Sequence, residues 1–143
     1  MGKGVRSERK LFNKLWDAGF MVMRSPASGG GRKHPQPDLL ASNGSDIYGI
    51  ETKRTGQDVV YLKRDEVLKL ASFCSRFGFD CEPLVGIRFD RRDWLFARIG
   101  DLKPAGNSFK MQKYDMVQKG LKIDDLKCVK NSEHGDDYEK DEN

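Results

Sequence analysis

The sequence predicts a single α/β domain in which helices flank a central mixed β-sheet. Two amphipathic helical patterns, at residues 7–18 and 65–77, each end at a glycine, Gly19 and Gly78, and a glycine just past the last apolar turn is a common helix end. Three runs of strand-forming residues lie between these helices and two more follow the second one. The order helix, three strands, helix, two strands indicates one sheet covered by helices.

The first helix, residues 7–18, has one apolar stripe at the 3.6-residue period. The stripe consists of Leu11, Phe12, Leu15 and Trp16. Glu8 lies three and four residues before Leu11 and Phe12, so it shares the inward face. An acid on a buried face requires a partner or a metal, whereas an acid in the first helical turn is favourable without either. Position alone leaves both interpretations of Glu8 open.

Five strands are predicted from runs bounded by turn residues. They lie at Phe20–Arg24, Asp38–Ser42, Ile47–Lys53, Leu84–Phe89 and Trp94–Ile99. On the second helix the period predicts an inward face of Val67, Leu70, Ala71, Cys74 and Phe77. After Pro104 the signals weaken to a short strand around Phe109–Lys113 and a helical turn near Ile123–Leu126.

The second and third strands form a hairpin whose turn sets the position of three charged residues. Asn43–Asp46 is a strong turn signal, and its glycine suits the first position of a two-residue type II′ loop. If Asn43 pairs with Asp46 across the loop, Asp38 lies directly opposite Glu51, with Cβ atoms about 4.5–5.5 Å apart. Lys53 points to the same face as Glu51. A loop one residue earlier shifts the register by two and still keeps all three on one face.

Two carboxylates and an ammonium at a strand end have a chemical and a purely structural interpretation. Oxygen ligands suit Mg²⁺, which keeps several of its waters, and Lys53 would then orient or activate a water for attack on phosphorus. On the structural interpretation, an exposed Glu–Lys pair contributes little, and like charges facing each other across strands are simply destabilising. The hairpin register favours the chemical interpretation, with Asp38 and Glu51 as metal ligands.

The segment between the first two strands, residues 25–37, is a loop with a glycine triplet beside Arg32, Lys33 and His34. Loops of this length in compact domains are usually functional or disordered. Flexible backbone with cationic side chains suits contact with a phosphate backbone, and the loop leads directly into Asp38. The alternative is a tether without a role of its own.

The charge is distributed unevenly along the chain. Residues 130–143 carry two lysines and six acids, a net charge of −4. Since the whole chain has a net charge of +4, the preceding 129 residues carry +8. A basic body indicates a polyanionic partner such as nucleic acid. Together with the hairpin site suited to attack on phosphorus, this predicts a nuclease domain at 1–129. Residues 130–143 are predicted to be a disordered acidic tail, since blocks of like charge are usually disordered.

Three cysteines, Cys74, Cys81 and Cys128, are odd in number and have no CxxC spacing. This favours a reducing compartment over a disulfide framework or a zinc site, and Cys74 is expected to be a core residue. No apolar run approaches the length of a membrane span, and the first residues lack the apolar region of a signal peptide. The sequence thus predicts a cytoplasmic protein without membrane contact.

Several of these residues together resemble the archaeal Holliday junction resolvases of the Hjc type. The most specific part is the segment Gly19–Gly29, which reads GF-x-V-x-R-x-P-A-S-G. The resemblance also includes Glu8-Arg9, Pro37-Asp38 and Glu51-Thr52-Lys53, and it extends through Val60-Tyr61 and the second helix to about residue 100. Pro-Asp and Glu-x-Lys alone would indicate only the broad restriction-endonuclease-like superfamily.

The resemblance implies a restriction-endonuclease-like core and a homodimeric, Mg²⁺-dependent nuclease that cuts four-way DNA junctions by paired symmetric nicks. In such enzymes the counterparts of Glu8, Asp38, Glu51 and Lys53 form the active site, and the serine matching Ser28 contributes. Glu8 would be a further acidic ligand, direct or through water. No cofactor other than the metal is implied.

For DNA contact the expected residues are Arg9, Arg24, Arg32, Lys33 and Arg54. The glycine-rich loop and the acidic tail depart from the family pattern, and the tail leaves the C-terminal contribution to binding open. Two other functions remain as alternatives: a nuclease of the same superfamily that acts on duplex DNA, and a DNA-binding module without catalysis.

Overall fold

A computed structural model describes residues 3–26, 34–78 and 80–127. The helices are α1 (Lys3–Asp17), α2 (Arg64–Phe77), α3 (Lys113–Lys119) and α4 (Ile123–Leu126). The strands are β1 (Met21–Arg24), β2 (Leu39–Ser42), β3 (Ile47–Thr55), β4 (Val59–Lys63), β5 (Cys81–Phe89), β6 (Leu95–Arg98), β7 (Lys103–Ala105) and β8 (Ser108–Gln112). Among these helices none is long and apolar enough to cross a membrane.

The central sheet is mixed and contains the five strands that the sequence predicts. Its order is β1-β2-β3-β5-β6. The pairing of β3 with β5 is parallel and the other three pairings are antiparallel. A parallel pair requires a crossover connection, and β4 with α2 supplies it between β3 and β5. The predicted α/β fold with a central mixed sheet is therefore confirmed.

The hairpin has the predicted register. Leu39 pairs with Ile50 and Ser42 with Ile47, so the next position outward places Asp38 opposite Glu51. At the turn, the Asn43 N–H donates to the Asp46 carbonyl at 3.2 Å. Gly44 has a φ of 98°, which other residues rarely adopt, and a positive φ at the first loop position is what a type II′ turn requires.

The sheet separates two buried clusters, one beneath α1 and one beneath α2. Neighbouring residues of β5 point to opposite sides: Leu84 belongs to the α1 cluster and Val85 to the α2 cluster. Two residues predicted to face inward do not. Trp16 is 54% exposed and Phe77 49% exposed, because α1 and α2 each bury a narrower stripe than the periodicity suggests.

The close approach of α2 to β3 depends on Gly49. A Cβ placed on Gly49 would lie 2.7 Å from the Cys74 Sγ, which is well inside van der Waals contact. Cys74 is buried, and its burial, together with a hydrogen bond to Cys81, raises the pKa of its thiol to about 12. Cys74 is therefore a core residue, as predicted, and it remains a thiol at neutral pH.

We expect Gly49→Ala to lower the free energy of unfolding by about 1–3 kcal/mol, the usual cost of overpacking a core. Urea denaturation would measure the change. In a Cys74→Ala background, which removes the Sγ that the new methyl group would meet, the same substitution should cost clearly less. An equal cost in both backgrounds would show that the clash is not its cause.

A second sheet, of order β4-β8-β7, was not predicted as a sheet. Only the strand near Phe109–Lys113 was expected there, and it corresponds to β8. The helix α3 was also missed, because Met116 is its single buried residue and one residue cannot reveal a helical period. The predicted turn of helix at Ile123–Leu126 is present as α4. The predicted tail, 130–143, lies outside the described residues.

Candidate active site

The Asp38 carboxylate is fixed by the neighbouring strand of the hairpin. Its Oδ2 accepts hydrogen bonds from the Thr52 backbone N–H at 2.8 Å and from the Thr52 hydroxyl at 2.9 Å. Thr52 lies between Glu51 and Lys53, and its sequence position gave no sign of this role. Two donors to one carboxylate oxygen hold Asp38 in a defined orientation, since hydrogen bonds to a charged acceptor are strong.

The Glu51 carboxyl lies beside that of Asp38 across the hairpin. The pKa of Glu51 is raised to about 9, chiefly by burial, then by the contact with Asp38 and by the negative charges of Asp38 and Glu66, while Lys53 opposes the shift. Two carboxylates in contact do not readily ionise together. The pair is therefore stable when it holds either a proton or a cation.

This raised pKa makes the stability of the metal-free protein depend on pH. Folded Glu51 keeps its proton to about pH 9, whereas the unfolded chain loses it near the ordinary value of 4.5. Folding therefore takes up a proton between these values, and the stability associated with that proton is complete below the lower one and is lost as pH rises to the upper one. In chelator-treated protein, urea unfolding should give a free energy that falls over this range. Glu51→Gln should flatten the fall, and unchanged slopes would contradict the assignment.

Lys53 is paired with an acid that the sequence-based prediction did not include. Its Nζ lies 2.7 Å from the Oε2 of Glu66, and both side chains are about three-quarters buried, with exposures of 29% and 27%. Glu66 belongs to the first turn of α2. Acids are common there because the helix dipole stabilises negative charge near the N-terminus. An acid at this position therefore gives no sequence signal of a contact with β3.

Glu8 has a partner, and that partner is Arg24. The Nε of Arg24 lies 3.1 Å from the Glu8 Oε1 and both side chains are partly buried. Within residues 3–26, 34–78 and 80–127, no three acidic, histidine or cysteine side chains gather closely enough to hold a metal ion. The structure thus brings Asp38 and Glu51 together and joins Glu8 to Arg24. A direct or water-mediated role of Glu8 at the metal stays a prediction.

Of the residues predicted to contact DNA, three are described. Arg9 is exposed on α1, and Arg24 forms the ion pair with Glu8. Arg54 lies 3.1 Å from the Asp90 Oδ1, and as the neighbour of Lys53 on a strand it points to the other face. Contact with DNA remains a prediction for all three. Ser28, Arg32 and Lys33 lie outside the described residues.

The ligand chemistry of the pair fits a hard divalent cation. Asp38 and Glu51 offer only oxygen donors, and Mg²⁺ is usually bound by one or two carboxylates together with waters and substrate phosphates. The pair is also partly buried, with the Lys53 ammonium nearby. This arrangement is suited to a reaction at a phosphate group.

Comparison with known proteins gives one consistent family. A model of the family described as archaeal Holliday junction resolvase (hjc) matches residues 1–134. The crossover junction endodeoxyribonuclease Hjc of Archaeoglobus fulgidus is 35% identical over 123 residues, which are 86% of this chain and 79% of that protein. A crossover junction endodeoxyribonuclease of Sulfolobus islandicus rod-shaped virus 1 is 40% identical over 89 residues, or 62% of this chain and 73% of that protein.

The fold agrees with a solved member of this family. The structure of Archaeoglobus fulgidus Hjc, described as a Holliday junction resolvase from an archaeal hyperthermophile, superposes with a TM-score of 0.77 at 34% identity. The match covers 85% of this chain and 95% of that one. Sequence and structure together confirm the resemblance inferred from the residues alone: the chain belongs to the archaeal Holliday junction resolvase family.

Proposed function

We propose that the protein is a Mg²⁺-dependent endonuclease that resolves four-way DNA junctions by paired, symmetric phosphodiester cleavage. The observation that carries this proposal is the partly buried Asp38–Glu51 pair, with one carboxylate held by Thr52 and the Lys53 ammonium beside the other. The choice of a junction as substrate is supported by the relatives, which are named crossover junction endodeoxyribonucleases.

Each residue of the site has a defined task in this reaction. Asp38 and Glu51 would hold Mg²⁺, and the Thr52 hydrogen bonds keep the Asp38 carboxylate from rotating away. The bound ion would stabilise negative charge on phosphorus and lower the pKa of a coordinated water. Lys53 adds a positive charge on the same face and orients the attacking water. Glu8, tied to Arg24, would contribute from α1, either to the metal or to the position of Arg24 on the DNA.

Affinity for the junction should come mainly from phosphate contacts by the basic body of the protein. Such contacts make binding fall steeply with salt. They carry no sequence information by themselves, so selectivity would arise from the shape of the junction. A DNA substrate inside the cell also agrees with the cytoplasmic location that the cysteine pattern favours.

We further propose that the working unit is a symmetric dimer formed through an apolar surface on one side of the sheet. This surface consists of Met21, Met23, Leu40, Phe73 and Phe77. Met21 and Met23 are 62% and 64% exposed, and the rings of Phe73 and Phe77 lie 5.8 Å apart. A second copy covering the same patch would bury it on both subunits, as an isologous interface does.

The apolar surface lies beside the proposed site, which would make a dimer formed there relevant to cleavage. Met23 and Arg24 line one groove with Leu40 and Phe73, and Arg24 holds Glu8. An interface here would bring two sites to one substrate. A four-way junction has approximate two-fold symmetry, so two sites related by a dimer axis can meet opposed strands at equivalent positions.

Incubation of the purified protein with a synthetic four-way junction, with and without Mg²⁺, tests the function. A linear duplex of the same arm sequence is the matched control substrate. We expect paired cuts in the junction, little cleavage of the duplex, and loss of cleavage but not of binding on chelation. Equal cleavage of the duplex would favour a general nuclease, and binding without cleavage in Mg²⁺ would favour a non-catalytic module.

A further inference from the structure

Glu66 connects the site to the second helix through both of its carboxylate oxygens. Oε2 lies 2.7 Å from the Lys53 Nζ, and Oε1 accepts a hydrogen bond from the Lys63 backbone N–H at 3.2 Å. Lys63 is the residue that precedes α2, and the second bond is one half of a capping box. A capping box needs only one oxygen of the acid, so the contact with Lys53 has to be explained separately.

The lysine side chain needs such a contact more than the other groups of the site do. Asp38 is fixed by two hydrogen bonds from Thr52, and Glu51 by its contact with Asp38. The Lys53 ammonium instead stands at the end of four rotatable bonds, and a lysine carries about 2 kcal/mol of rotamer entropy. Glu66 is a firm anchor for it, because the next residue, Val67, is buried in the core.

The direction of this contact also matters. Glu51 and Lys53 share one face of β3, so without another partner the ammonium can turn toward the Asp38–Glu51 pair. It would then occupy, with its own positive charge, the region where the two carboxylates would hold a metal ion. Glu66 draws the ammonium toward α2. Both oxygens of Glu66 are engaged, one by the Lys53 ammonium and the other by the Lys63 N–H.

We propose that Glu66 is a positioning residue for the cleavage reaction: it holds the Lys53 ammonium at the side of the Asp38–Glu51 pair, where Lys53 can orient the attacking water without displacing the metal. This inference rests on the proposed function and goes beyond it, because it assigns a task to a residue outside the Glu-x-Lys motif. Glu66 itself acts through Lys53 and does not touch the reacting atoms.

Glu66→Gln is the informative substitution, since glutamine also completes a capping box and only the charge opposite Lys53 is lost. We expect the single-turnover rate of junction cleavage to fall about 10–100-fold, as is typical for residues that orient a metal site from outside. Junction affinity and melting temperature should stay near wild type. Asp65→Asn is the matched control, because Asp65 is one residue earlier, is 73% exposed and pairs only with Lys69 among the contacts described.

Three measurements decide between positioning and other roles. If Glu66 acts only through Lys53, Glu66→Gln should add nothing to the defect of Lys53→Met when both are compared at high enzyme concentration. The Mg²⁺ concentration that gives half-maximal cleavage should rise in Glu66→Gln, because the released ammonium competes for the pair, and it should return to the wild-type value in Lys53→Met/Glu66→Gln. A rise that persists without the lysine would identify Glu66 as a metal ligand and overturn the proposal. Cleavage by Glu66→Gln at the wild-type rate would also overturn it.

A spectroscopic measurement separates this proposal from the proposed function. The Lys53 side-chain ¹⁵N resonance, assigned by its loss in Lys53→Arg, should be visible in the wild type because the ammonium is held in an ion pair. It should broaden or shift in Glu66→Gln and stay unchanged in Asp65→Asn. An unchanged signal in Glu66→Gln would overturn the positioning role. Absence of metal-dependent cleavage in the wild type, with the signal behaving as expected, would instead overturn the function alone.

Discussion

Asp38→Asn and Glu51→Gln should each abolish junction cleavage in Mg²⁺ while leaving junction binding near the wild-type level. Both substitutions remove a charge from the pair that we propose binds the metal, and both keep the shape of the side chain. A metal ion supplies several kcal/mol of transition-state stabilisation, so we expect the rate to fall by at least about 100–1000-fold. Single-turnover cleavage and a gel-shift titration, run on the same protein preparations, would measure the two effects separately.

Asp46→Asn is the matched control for this experiment. Asp46 belongs to the same hairpin but is exposed at the turn, at the end of the strands away from Glu51. It should cleave like the wild type. Substantial Mg²⁺-dependent cleavage by Asp38→Asn or Glu51→Gln would mean that the pair is not the metal site, and loss of binding would mean that the fold has been disturbed.

The second large effect concerns the pairing of the two cuts. When wild-type subunits are mixed with Asp38→Asn subunits, heterodimers should nick only one strand of a supercoiled cruciform plasmid. The reason is geometric: one hairpin holds one site, whereas resolution needs breaks in two strands related by the two-fold axis of the junction. The product ratio of nicked circle to linear plasmid, followed against the mixing ratio, measures the effect.

The apolar surface offers a direct control of this assembly. Met23→Glu should shift the protein toward monomer in analytical ultracentrifugation and convert paired cleavage into single nicks. Val117→Glu places the same charge at an exposed apolar position on α3 and should change neither property. A wild-type protein that is monomeric at working concentration and still makes both cuts in one binding event would contradict the dimer and the mode of cleavage together.

The hairpin could be predicted from the sequence because its determinants are local. The turn Asn43–Asp46 fixes the register, and the register fixes which side chains of β2 and β3 meet. The prediction therefore placed Asp38 opposite Glu51 without any knowledge of the rest of the fold. The five strands of the central sheet could be predicted for a similar reason, since their sequences have clear patterns and clear ends, whereas their order in the sheet depends on contacts between distant elements.

The contacts that the sequence did not reveal are those made between distant elements. In the sequence Glu66 looks like an ordinary acid of a first helical turn, and its contact with Lys53 depends on the packing of α2 against β3. The ion pair of Glu8 with Arg24 likewise depends on the packing of β1 against α1. Trp16 has the period of a core residue, yet it is exposed, because how much of a helical stripe is covered depends on the neighbouring elements. The sheet of β4, β8 and β7 was missed for a related reason, since its short strands have weak patterns and are defined by their pairing.

The hairpin register also has a consequence for the order in which the protein assembles. Asp38 and Glu51 are brought together by a local turn, and an isolated β-hairpin forms in about 1–10 μs. The parallel pairing of β3 with β5 must wait for the whole crossover, because the loop-closure entropy comes before the contacts that offset it. The chain is thus expected to bring its two acids together early on the folding pathway, while Lys53 still lacks Glu66. At that stage two like charges face each other across the strands, which is destabilising, so the feature proposed to hold a metal ion in the folded protein is an electrostatic barrier for the chain that is still folding.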